Sequence, residues 1–175
     1  MRKVIILTGP GGAGKTTIAK LLVDKYNFIL IDGDREDTEF FQNGKKQYLP
    51  ENIESLKKAH DKILNLAKKL FNKQEKNIVI DYIIFGEYIK FFEKFKKEFN
   101  KDLIIKVLFP SLEEMVKRDW DRECWTTGIG RIIAVKRELE KIKKYIGKEN
   151  FINSTKQTPE ETIKYILKKN SKIKS

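Results

Sequence analysis

Eight residues near the start of the chain restrict its fold more than any others: Gly9, Pro10, Gly11, Gly12, Ala13, Gly14, Lys15 and Thr16. They satisfy the pattern G-x-x-x-x-G-K-[ST] in full. Val4, Ile5, Ile6 and Leu7 precede them, a short β-branched run that reads as a buried strand. Residues 15–26 follow, with Ile18, Ala19, Leu21, Leu22 and Val23 spaced for an amphipathic helix. Strand, glycine loop and helix are the context the pattern needs. Glycines let backbone N–H groups curl around a phosphate without Cβ clashes. The helix N-terminus adds partial positive charge. Lys15 has the reach for β- and γ-phosphates, and the Thr16 hydroxyl can ligate Mg²⁺. The spacing therefore predicts a site for a nucleoside triphosphate and says nothing about a second substrate.

The rest of the chain alternates in the same way. Residues 28–31, 77–81, 103–109 and 151–152 read as strands, and residues 56–70, 88–99, 112–121 and 131–145 as helices. Thr158, Pro159 and Glu161 predict a capped helix start. Tyr88, Phe91, Phe92, Phe95 and Phe99 form a stripe that reads as core packing. Residues 35–49 are polar and aromatic, with no clear period. Strands alternating with helices predict an α/β fold: a parallel sheet with helices on both faces.

Composition removes several classes of chemistry. With 175 residues, 40% of them hydrophobic and 35% charged, the chain is expected to form one ordered domain. A single cysteine, Cys124, allows neither a disulfide framework nor a cysteine zinc site. A single histidine, His60, excludes a histidine-rich metal site, and a Ser-His-Asp triad unless His60 is the base; its core-spaced position reads as structural. No run approaches the ~20 apolar residues of a membrane span, so the expected location is cytoplasmic. The formal net charge of +12 is mostly lysine spread along helices. It reads as a lysine-rich composition more than as a nucleic-acid surface.

Three further groups point at the triphosphate. Asp32, Gly33 and Asp34 follow the second strand at its carboxyl end, where open α/β sheets bind ligands. Such paired carboxylates can hold Mg²⁺ or take a proton from an acceptor hydroxyl. Asp81 ends the third strand as a second acidic element. Arg118 and Arg122 share one helix face, and Arg131 follows after a short glycine-containing loop. Arginine is scarce elsewhere, at only Arg2, Arg35 and Arg137, so this clustering predicts a lid that closes on phosphates.

These residues together resemble the small-molecule kinases of the P-loop nucleoside-monophosphate-kinase-like group. Asp32-Gly33-Asp34 looks like gluconate kinase and adenylylsulfate kinase. Residues 78–87 and 110–131 look more like chloramphenicol phosphotransferase. The resemblance implies a three-layer P-loop NTPase fold with a parallel sheet of about five strands and a short arginine-bearing lid. It also implies that Arg118 packs on adenine, that Arg122 reaches the phosphates, and that residues 153–156, with Ser154 and Thr155, border adenine. The lid is short and contains Cys124 and Trp125. Between Asp34 and Lys90 the only arginine is Arg35, alongside lysines such as Lys45 and Lys46. A charged phosphate acceptor usually wants a bidentate arginine clamp, so a neutral hydroxyl acceptor is favoured.

The reading is therefore one P-loop kinase domain over residues 1–175, with an acceptor segment near 35–60 and a lid near 118–131. Lys15, Asp32, Asp34, Arg122 and Arg131 are the expected catalytic residues. Gly9, Gly11, Gly12, Ala13, Gly14, Lys15, Thr16, Thr17, Arg118, Ser154 and Thr155 are expected to bind ATP. Thr16, Asp32 and Asp81 are the expected Mg²⁺ ligands, and either Asp32 or Asp34 would orient or deprotonate the acceptor. ATP and a small-molecule acceptor are the expected partners, with the chain a monomer or homodimer and no membrane or favoured nucleic-acid partner. The alternatives are a nucleotide or polynucleotide 5′-hydroxyl kinase, supported only by charge, and a nucleotide-binding ATPase or regulator with no acceptor.

Overall fold

The structure is a computed structural model, and it describes residues 2–42, 49–84, 88–122 and 126–168. The side chain of Tyr88 lies outside the described set, as do Lys45, Lys46, Cys124, Trp125 and residues 85–87 of the chloramphenicol-phosphotransferase-like segment.

Five strands form one parallel sheet: β1 (Val4–Thr8), β2 (Ile29–Asp32), β3 (Ile78–Asp81), β4 (Leu103–Leu108) and β5 (Phe151–Ile152), in the order β2-β3-β1-β4-β5. Every residue of β1 is buried, as expected for a central strand covered on both faces. It pairs with β3 through Val4↔Ile78 to Leu7↔Asp81, and with β4 through Val4↔Leu103 to Thr8↔Val107. Side chains alternate across the sheet, so its two faces feed two cores. Val4, Ile6, Ile78, Ile80, Ile105 and Val107 pack with Ile63, Phe91, Phe92, Phe95 and Val135. Ile5, Leu7, Val79, Ile104 and Leu108 pack with Ile18, Leu22, Met115, Ile132 and Ile163. Helices α1 (Lys15–Tyr26), α5 (Leu112–Trp120) and α8 (Pro159–Lys168) supply the second core; α3 (Ile53–Lys73) and α4 (Tyr88–Phe99) supply the first. The described aromatics of the 88–99 stripe are core, and His60 lies buried against Tyr82 and Phe91.

Elements differ from the sequence reading at their ends. The second strand starts at Ile29 because the Phe28 N–H closes the end of α1 on Leu22 O at 3.3 Å, past Asn27 at φ 57°. Part of the aperiodic segment is helical: α2 (Gly33–Glu36) and a 3₁₀ turn (Thr38–Phe40) follow β2 directly. An element of four residues is too short to show a period. The helix expected over 131–145 begins earlier, as α6 (Ile129–Lys141), and a short α7 (Lys143–Ile146) continues it. At α8, Thr158 Oγ1 accepts from Glu161 N at 3.2 Å and Thr158 N donates to Glu161 Oε2 at 2.8 Å, a complete capping box. Among the described residues no helix is long and apolar enough to cross a membrane.

β1 lies between β3 and β4, where the direction of winding reverses. The crevice at the carboxyl ends of these strands is where such sheets bind ligands. The glycine loop, Asp81, and α2 with its acids all open onto it.

Candidate functional site

The glycine loop leaves β1 and delivers Lys15 as the first residue of α1. Ala13 N donates to Pro10 O at 3.3 Å, which curls the loop. Lys15 folds back so that its Nζ donates to Pro10 O at 3.1 Å, and the residue is 5% exposed. Burial lowers the Lys15 pKa, opposed by the charges of Asp81 and Asp34. The other side of the loop is covered closely. A Cβ at Gly11 would stand 2.3 Å from Thr127 Oγ1, so glycine there is what lets residues 126–128 approach.

Acids line the opposite wall. Asp81 ends β3 in register with Leu7 on one side and Asp32 on the other. Its Oδ2 accepts from Thr16 Oγ1 at 2.7 Å. Burial pushes its carboxyl up, against the pull of Lys15 and the Thr16 hydrogen bond. Asp32 and Asp34 are not equivalent. Asp32 is the N-cap of α2, with Oδ1 accepting from Arg35 N at 3.1 Å. Asp34 lies in the first turn of α2, within the electrostatic reach of Lys15. Its pKa is pushed up to about 6, first by crowding of the carboxyl and then by the charges of Asp81 and Asp32. Lys15 and the nearby Ile83 backbone work the other way. Asp34 as a residue keeps access to solvent, so crowding around its carboxyl, not full enclosure, is the cause.

The arginines divide in the same manner. Arg118 Nε donates to Glu114 Oε1 at 2.7 Å, and its Nη2 donates to Ser154 O at 3.1 Å. With Ala13, Gly14, Thr17 and Ser154 it lines a cavity of about 200 Å³ beside the start of α1. Arg122 lies 3.5 Å from Asp119 Oδ1, and its charge is felt at both Lys15 and Asp81. Arg131 is half-buried on the first turn of α6. Thr155 has its hydroxyl engaged: Oγ1 accepts from Ser111 N at 2.8 Å and donates to Asn153 Oδ1 at 2.6 Å. That hydroxyl pins the 153–155 turn to the N-cap of α5. Ser154 is buried, with its main-chain oxygen on Arg118.

Asp119 went unnoticed in the sequence. Burial pushes its carboxyl up, but the Gly128 N–H, donating at 3.0 Å, with the nearby Thr127 and Arg122, brings it below the usual range. The signal was the acid between two spaced arginines, in Arg118-Asp119-Trp120-Asp121-Arg122. Among the described residues no three histidine, cysteine or acidic groups converge as a complete metal site. Thr16 Oγ1 and Asp81 Oδ2 nevertheless form an adjacent oxygen pair, and Asp81 is a nearly buried carboxylate whose charged form burial disfavours. That donor set fits Mg²⁺, which typically takes one or two protein oxygens and completes its shell with phosphates and water.

Residues 8–128 match the AAA domain family. The chain is 27% identical to the guanylate kinase of Prochlorococcus marinus subsp. pastoris, covering 96% of each chain. In fold it is similar to the tunicamycin resistance protein of Deinococcus radiodurans, with a TM-score of 0.73 at 13% identity over 98% of this chain and 96% of the other. It is also similar to a gluconokinase from Sinorhizobium meliloti 1021, with a TM-score of 0.63 at 15% identity over 99% and 95%.

Proposed function

The chain belongs to the AAA domain family and is a P-loop kinase, and from that premise we propose that it moves the γ-phosphoryl group of ATP to a hydroxyl of a small polar molecule. The observation that carries the reading is the convergence of Lys15, Thr16, Asp81 and Asp34 at the carboxyl ends of β1, β2 and β3. One group neutralises phosphate charge, two hold a cation and one faces an acceptor. The triphosphate would lie along the backbone N–H groups of residues 11–16, with the Lys15 ammonium in reach of the β- and γ-oxygens. The cavity between Arg118 and Ser154 takes the base. Thr16 and Asp81, joined by Asp32 in the neighbouring register, would hold Mg²⁺, which when bound supplies further neutralisation of the phosphate oxygens.

The acceptor oxygen attacks the γ-phosphorus in line. The new O–P bond forms as the bond to the β,γ-bridging oxygen breaks, and ADP leaves. The acceptor proton passes to Asp34, which unlike Asp32 is not occupied in capping α2. Arg122, close enough to influence Lys15, spreads charge in the transition state, and Arg131 joins it from α6. The sequence leaves the base open between Asp32 and Asp34, and the capping role of Asp32 favours Asp34.

A second reading has one observation behind it. Similarity to a guanylate kinase over nearly the whole chain supports a nucleotide acceptor. Against it stands the acceptor side, where Arg35 is the one arginine and Lys62 is tied to Glu36 at 3.1 Å and Glu39 at 3.3 Å. An ADP-release screen decides between them, using sugars, polyols, nucleosides, GMP and CMP as acceptors. The expected result is acceptor-dependent release with a neutral hydroxyl compound. Release with GMP or CMP alone would establish the second reading, and ATP turnover indifferent to every acceptor would overturn both.

A further inference from the structure

Tyr82 follows β3 immediately. It is 0% exposed. Its ring lies at 5.8 Å from His60 and 6.0 Å from Phe91, between centroids, so α3 and α4 fix it from behind. Three contacts then run from this anchored stretch to the acid-bearing turn. Tyr82 Oη donates to Asp37 Oδ2 at 2.9 Å, and Asp37 is 1% exposed. The Gly33 backbone packs closely against the base of the ring, where a Cβ would stand 2.4 Å from Tyr82 Cγ and Cδ2. The Ile83 backbone lies close enough to the Asp34 carboxylate to favour its charged form. These contacts grip α2 at its first residue, at its second and just past its last.

We propose that Tyr82 and Asp37 form a positioning clamp that sets the Asp34 carboxylate against the glycine loop, transmitting the rigidity of the core to a four-residue helix. The inference rests on the phosphotransfer reading above. Its physical basis is that α2 is too short to hold its own geometry. Exposed hydrogen bonds such as Asp32 to Arg35 N define the turn but do not tie it to the sheet. A buried hydroxyl–carboxylate bond does, because breaking it forfeits a hydrogen bond in the core, where bulk water does not replace it. The Gly33 contact explains why glycine separates the two acids: any side chain there would push the turn off the ring. Tyr82 touches neither reactant in this scheme and acts through Asp34.

Tyr82→Phe deletes the hydroxyl and keeps the ring. The probe reactions are basal ATP hydrolysis, with water as acceptor, and transfer to whichever acceptor the ADP-release screen returns. We expect kcat to fall about 10- to 100-fold, the scale of a small misplacement of a reacting group. KM for ATP should stay within about twofold, because the glycine loop is untouched. Combining Tyr82→Phe with Asp34→Asn should cost no more than Asp34→Asn alone, since both remove the same contribution. Asp37→Asn keeps an oxygen acceptor and should be faster than Asp37→Ala. Additive losses in the double variant, or an unchanged kcat in Tyr82→Phe, would overturn the clamp. Hydrogen exchange separates this from failure of the phosphotransfer reading. If the wild-type protein cleaves no ATP, that reading falls, yet faster amide exchange confined to residues 33–37 in Tyr82→Phe would still uphold the clamp. Unchanged exchange there would overturn it.

Discussion

Burying an ammonium group is unfavourable, and Lys15 is kept almost wholly inside, with Pro10 O as the hydrogen-bond partner of its Nζ among the described residues and Asp81 and Asp34 as opposing charges. An anion in the glycine loop would complete that set. Lys15→Ala should therefore lower phosphate transfer by about 100-fold or more while leaving the protein folded, as measured by steady-state kinetics and circular dichroism. Asp34 makes a second, pH-dependent prediction. Its folded pKa, about 6, lies above the ordinary 3.8 of the unfolded chain, so the folded state binds the extra proton between those values. Stability from this group is present below about pH 4 and is lost as pH rises through about 6. Asp34→Asn should thus raise Tm relative to wild type at pH 7–8, with the difference shrinking towards pH 4. Activity should run the opposite way: kcat of the wild type rises through pH 6 as the base ionises, and that limb disappears in Asp34→Asn. A wild-type profile flat between pH 5 and 7 would remove Asp34 from the base role.

Residues 126–128 hang from the end of α5, and Asp119 is the hook: its carboxylate takes the Gly128 N–H and holds Arg122 at 3.5 Å. One buried acid therefore couples the position of Arg122 to that of a loop packed on Gly11. Asp119→Ala leaves the Gly128 N–H without its acceptor, which should cost about 1–3 kcal/mol in urea unfolding. The same variant frees Arg122 and should lower kcat more than it weakens nucleotide binding. At α8, Thr158→Ala removes half of the capping box and should cost about 1 kcal/mol without touching kinetics. Equal kinetic effects of the two variants would mean that Asp119 acts only through stability.

For the whole molecule, a ligand that binds only the folded state raises its stability by RT ln(1 + [L]/Kd), about 2.7 kcal/mol at a hundredfold excess over Kd. In a chain of this size that moves Tm by about 5–10 °C. MgADP should produce such a shift in calorimetry, and Lys15→Ala should abolish most of it; an equal shift in both would place the nucleotide elsewhere. The parallel sheet, the glycine loop and the order of most elements were legible in the residue pattern. Buried strands are runs of β-branched residues, and a phosphate loop needs glycine, lysine and threonine at fixed spacing whatever surrounds them. The roles of Asp32 and Asp34 were not legible, because a four-residue helix carries no periodicity and nothing local says which acid is spent as its cap. Thr155 read as a nucleotide contact, yet its hydroxyl ties two turns together across 44 residues of sequence. Asp119 and Tyr82 were hidden for the same reason: a buried polar group is defined by partners distant along the chain. The pattern of residues settled the chemistry of phosphate binding, which is local. Tertiary packing decided that Asp32 caps α2 and Asp34 does not, because that depends on what the core on either side of the sheet holds still.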